Sequence, residues 1–174
     1  MYITGIDPSQ WHTTAKNALG AIGLIITSQG AKQYKYVKLR NESATVDLDN
    51  GDMVSYLDQP ANDEEINTVV SDYTDSGTRP VGAGAAEGDG SGNFSLDGVQ
   101  VSSIAGTANT AYYGWVQQTG YFVSNQAIGG TVTEGEALIC GGGDKALTIA
   151  TAVDNPVCAI CINDAAQTAR LCCI

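Results

Sequence analysis

Short runs of Val, Ile, Thr and Tyr recur along this chain, and each is stopped within a few residues by Gly, Asn or Asp. That punctuation constrains the fold more than any single motif. β-branched and aromatic side chains suit a pleated, half-buried surface, and frequent turn residues leave little room for helix. The 21 glycines act in the same direction, as does a charged share of only 16%, against about 25% in an average domain. The expected fold is all-β: a small β-barrel or sandwich with an extended N-terminal arm and at most one short helix. Residues 1–40 read as an arm and first strands. Residues 41–174 read as the barrel body, interrupted by a flexible Gly-rich loop at 82–93.

Particular segments refine this outline. Asp7-Pro8-Ser9 is a turn signal inside the arm. Ala21 to Thr27 is a compact β-prone run. Lys32 to Arg40 alternates, with Tyr34, Tyr36 and Lys38 on one face and Lys35, Val37 and Leu39 on the other. Thr45 to Leu57 reads as a hairpin turning at Asn50-Gly51, since both residues tolerate positive φ. Asn62 and Glu65 have the spacing of a capping box, so a short helix carrying Ile66, Val69 and Val70 is expected. Further strands are expected over Val99 to Ile104, Ala111 to Val123, Gly130 to Thr133, Glu136 to Cys140, Ala146 to Val153, Val157 to Ile162 and Ala169 to Ile174.

Charge divides the chain. Up to Arg40 there are five basic residues and one acid; beyond it there are three basic residues and eighteen acids. The net charge of −11 argues against direct nucleic-acid binding. A basic front on an acidic body suits contact with an acidic surface, or else lysines guarding a strand edge. No basic segment followed by an apolar run opens the sequence, and Leu19 to Ile26 is too short to span a bilayer. Folding in a cytoplasm, with no membrane contact, is the expectation.

No catalytic, cofactor or metal set is found. Cys158 and Cys161 have C-x-x-C spacing but lie in a β-like run, where residues three apart face opposite sides. With Cys140, Cys172 and Cys173 also in apolar surroundings, buried packing is the favoured reading. The acids around Asn50 put Asp52 where a calcium loop needs Gly. His12, the sole histidine, has no nucleophile placed to use it. The Tyr112-Tyr113-Gly114-Trp115 cluster puts Tyr113 and Trp115 on one strand face and Tyr112, Gly114 and Val116 on the other. Core is favoured over an interface for these rings.

The order of motifs carries a resemblance. Asn50-Gly-Asp-Met-Val-Ser-Tyr56 is followed by Pro80-Val-Gly-Ala-Gly84, then Ala111-Tyr-Tyr-Gly-Trp-Val-Gln-Gln-Thr-Gly-Tyr121. Next come Gly130-Thr-Val-Thr-Glu-Gly-Glu-Ala-Leu138, Pro156-Val-Cys-Ala-Ile-Cys-Ile162 and a last apolar strand. Residues 45–174 thereby resemble the small β-barrel decoration, or cement, proteins of tailed-bacteriophage heads. The resemblance implies a non-enzymatic virion structural protein made in the host bacterial cytoplasm. It would sit on the outer surface of the head, bind the phage major capsid protein and stabilise the shell, as a homo-oligomer with a trimer favoured. Residues 1–40 have no counterpart and are the candidate shell-binding segment. Trp11, Leu24, Ile25 and Ile26 are its candidate apolar anchors, with Lys32, Lys35, Lys38 and Arg40 as charged partners; ordinary barrel core is the alternative for Leu24 to Ile26. Two other readings stand beside this one. The first is a tail, neck or fibre-associated module, which would expose Tyr112, Tyr113 or Trp115 to a host glycan. The second is a small barrel enzyme or metal protein using Cys158 and Cys161.

Overall fold

Alternation and turn chemistry divide the chain into strands, and their pairing is seen in a computed structural model. It describes residues 7–14, 22–27, 32–40, 47–56, 67–70, 80–83, 94–97, 99–101, 103–105, 111–124, 128–129, 131–140, 147–150, 157–163, 165–166 and 168–171. In chain order the strands are β1 (Gln10–Trp11), β2 (Ile25–Thr27), β3 (Gln33–Arg40), β4 (Asp47–Asp49), β5 (Met53–Tyr56), β6 (Thr68–Val70), β7 (Pro80–Ala83) and β8 (Phe94–Leu96). They continue with β9 (Val99–Val101), β10 (Ser103–Ala105), β11 (Ala111–Val123), β12 (Ala137–Cys140), β13 (Leu147–Ile149), β14 (Ala159–Asn163) and β15 (Thr168–Leu171). The protein is all-β, and no α-helix occurs among the described residues.

A ten-stranded main sheet runs β13-β12-β14-β15-β11-β3-β6-β5-β7, with β2 also on β3. The described residues also form two small sheets, β1-β8-β9 and β10-β4. β11 is the spine of the main sheet. It pairs antiparallel with β3 from Ala111 opposite Arg40 to Thr119 opposite Gln33. It then turns to β15, from Gly120 opposite Leu171 to Val123 opposite Thr168. A register shift between Gln117 and Thr119 marks the change of partner. Gly120 follows at φ +97°, a conformation costly for any residue with a Cβ. The Gln117 side chain holds this joint, donating from Nε2 to the carbonyls of Thr119 (3.0 Å) and Tyr121 (2.9 Å). At the other end of the run β7 passes beside β11, so the β11-β3-β6-β5-β7 part curls back toward closure.

Among the described residues the core forms three clusters. Trp11, Val37, Leu39, Leu48, Val54, Ile104, Tyr112 and Val116 pack on one face of the β3–β11 pair. Ile26, Tyr34, Tyr36 and Trp115 pack on its other face. The third cluster lies under the second half of the chain and gathers Met53, Phe122, Leu138, Leu147, Cys158, Cys161 and their neighbours. The faces expected for Lys32 to Arg40 and for Tyr112 to Val116 match this division.

Several expectations are corrected. Asn50-Gly51 does form a turn, with Gly51 at φ +91° and Asp52 N–H donating to the Asp49 carbonyl at 3.1 Å. Its arms do not pair with each other, however: β4 joins β10, while β5 joins β6 and β7. The buried Asp52 carboxylate accepts the Asp49 N–H at 2.8 Å, which ties the turn to itself and makes it a corner between sheets. Val69 and Val70, expected in a helix, lie in β6, where pairing to both β3 and β5 outweighs the capping signal; Asn62, Glu65 and Ile66 fall outside the described residues. Gly82 and Ala83, expected in the loop, belong to β7 on β5; the rest of that segment, 84–93, falls outside the described residues. Residues 131–133, expected to be strand, lie outside the strands. Residue 40 is no boundary between bodies, because β3 is an interior strand of the main sheet.

Candidate interaction surface

The N-terminal strap carries Trp11, a candidate anchor. Asp7 opens it with a local turn: its carboxylate accepts the Ser9 N–H at 2.9 Å and the Ser9 hydroxyl at 2.7 Å. β1 then adds in parallel to β8, and His12 exchanges two 2.8 Å backbone bonds with Tyr113. Between them the Trp11 indole lies on Gly114. An ideal Cβ at Gly114 would stand 2.2 Å from Trp11 Cδ2, so the ring fills the space a side chain would occupy. Trp11 is therefore fully buried. This corrects the expectation of a solvent-facing anchor: an apolar ring next to a side-chain-free strand position gains more by covering it.

A polar clamp closes the strap. Asp97 stands at φ +49° in the two-residue turn joining β8 to β9. Its N–H donates to the Trp11 carbonyl at 2.8 Å. Its carboxylate meets His12 Nδ1 at 3.2 Å and accepts the Thr13 hydroxyl at 2.8 Å. Asp97-Gly98 between apolar runs is the same signal as Asn50-Gly51, and it suffices to locate this hairpin.

The other candidate anchors do not form one patch. Ile26 is buried and Leu24 is half-buried against the Tyr34, Tyr36 and Trp115 cluster, as the core alternative has it and not as anchors on an open face. Only Ile25 faces solvent, at 51% exposure. Lys35 donates from Nζ to the Tyr56 hydroxyl at 2.7 Å and lies 4.8 Å from that ring's centre. Lys32 lies against Gly120, its Cγ 2.9 Å from where a Cβ would be. Lys38 is opposite Tyr113, on the face away from Lys35. Arg40 pairs through its backbone with Ala111; its side chain falls outside what is described. The aromatic cluster is interior: Tyr112 and Trp115 are buried, Tyr113 is half-buried, and Trp115 packs on Tyr36 with ring centres 5.1 Å apart.

An exposed apolar surface lies elsewhere. Tyr121, Arg170 and Ile160 stand side by side across β11, β15 and β14. Tyr121 is 50% exposed and Val123, on the same face, 60%. The Arg170 guanidinium lies 5.9 Å from the Tyr121 ring centre. Phe122, between the two exposed residues, points into the core. The sequence does not reveal this face, because Tyr121-Phe122-Val123 is apolar throughout, which hides the alternation.

Cys158 and Cys161 are both buried in one cluster, so their expected opposite facing is corrected. Cys158 precedes β14 and has not entered its pleat; its N–H donates to the Leu138 carbonyl at 2.9 Å. Among the described residues no three His, Cys, Asp or Glu side chains converge as a metal site would require. The chain matches no protein-family model, no curated protein and no solved structure.

Proposed function

We propose that this chain is a non-enzymatic virion structural protein that binds the outer surface of a phage head and stabilises it. The observation that carries this reading is where exposed apolar side chains lie. Ile25 is on β2, and Tyr121, Val123 and Ile160 line one face of β11 and β14, all on sheet backbone. Rigid strands presenting apolar residues suit burial against a larger body, since little ordering cost opposes the contact. The order of motifs from Asn50 to the last strand supports the same reading. Its partner is the major capsid protein, and its working form is a homo-oligomer, a trimer by the resemblance. The competing reading, a tail, neck or fibre-associated module, relied on the aromatic cluster as a glycan platform. It loses that support with Tyr112 and Trp115 interior.

The test adds purified protein to undecorated heads. Saturable binding with a gain in resistance to heat is expected; no binding and no gain would remove the proposal. Native mass measurement is expected to give a trimer, and a monomer at every concentration counts against that part.

A further inference from the structure

The strap makes its contacts with parts of the chain remote in sequence. His12 and Thr13 meet Asp97 across separations of 85 and 84 residues. Trp11 lies on Gly114, and the backbone bridge is to Tyr113. Residues 10–13 thus carry a complete docking kit: a two-residue strand for β8, a bridge for β11, a ring for the Gly114 seat and two donors for Asp97. The seat lies between elements that the strap itself joins, since β8 and β11 belong to different sheets. Residues 15–21 connect the strap to the turn before β2.

We propose that the Gly114 seat is a strand-exchange site, in which the strap of a second copy of this chain takes the place of the resident one. Closed and exchanged forms make the same contacts at the seat. They differ in whether the connecting segment returns to its own body, which is the situation in which exchange between copies costs little. The balance then depends on chain concentration against the effective concentration that the connection imposes. The recognised ligand is defined by the seat: an extended segment with Trp flanked by a His-Thr pair. This inference does not rest on shell binding.

Two full-length variants test it. Trp11→Ala has an empty seat and no ring to donate. Gly114→Val has a blocked seat and an intact strap. Mixed, they are expected to form a complex of one chain of each kind, visible as that mass under native conditions. A mixture of monomers or of like-with-like species only would overturn the proposal. Should either variant fail to fold, a labelled synthetic peptide of residues 7–14 is offered to the wild-type chain at concentrations rising to about 10 mM, above the effective concentration of the resident strap, roughly mM for a short connection. Saturable uptake that is lost when Ala replaces the peptide's Trp is expected. No uptake, or uptake indifferent to that change, overturns the proposal.

Discussion

The two ends of β11 are made of similar residues and live in different surroundings. From Tyr112 to Gln117 the strand is covered on both faces, by the Trp11 cluster on one side and the Tyr36 cluster on the other. From Tyr121 to Val123 it is covered on one face only, with Phe122 inward and its neighbours in water. The joint between them is the register shift at Gln117 and the positive φ of Gly120. The difference shows that side-chain alternation reports the faces of a strand, while the elements laid over those faces decide which are dry. The strap, with its two-residue strand, and the segment around β2 make one end interior.

Removing the strap's ring should disturb the doubly covered end most. Trp11→Ala is expected to cost about 3–5 kcal/mol, read by denaturant titration. A loss under about 1 kcal/mol would show that the covering is dispensable. Filling the seat from below should come next. Gly114→Ala is expected to cost about 1–3 kcal/mol, since the new methyl meets the indole. In the Trp11→Ala background most of that penalty should vanish, because the obstacle is gone. The joint is a smaller target: Gly120→Ala is expected to cost about 1–2 kcal/mol through its positive φ and the nearby Lys32 stem. The open end should be most tolerant. Tyr121→Ser is expected to shift stability by no more than about 0.5–1 kcal/mol, while lowering binding to phage heads if that face is buried there.

Much of the fold is legible in the sequence where the information is local. The faces of Gln33–Arg40 and Ala111–Val123 follow from alternation, and the bounds of β11 are those expected. The turn at Asn50-Gly51 is legible for the same reason, because the positive φ at Gly51 is a freedom of glycine itself. Who pairs with its arms is not legible, since β10 lies some fifty residues further along. Val69 and Val70 show the same limit: capping chemistry is local, and the pairing that overrides it is not. For the candidate surface less is readable. Trp11, Leu24 and Ile26 have the composition of anchors and the burial of core, and only the fold separates those roles. Lys35 has the chemistry to meet a carboxylate on a partner, whereas its observed partner Tyr56 comes from another strand.

The pairing of β3 with β11 also sets an order of events in synthesis. Residues 33–40 leave the ribosome long before residues 111–119, their main partner. At ordinary translation rates the interval is roughly 4–14 s, far longer than a short strand needs to find a wrong neighbour. β2 and β6 reach one edge of β3 sooner, but the edge that β11 will cover stays open through that wait. Lys35 and Lys38 punctuate Tyr34-Lys-Tyr-Val-Lys-Leu39 on opposite faces. Whichever side of the waiting strand meets another nascent chain, it presents a charge, which is how sequences protect unavoidable β-prone segments from aggregation.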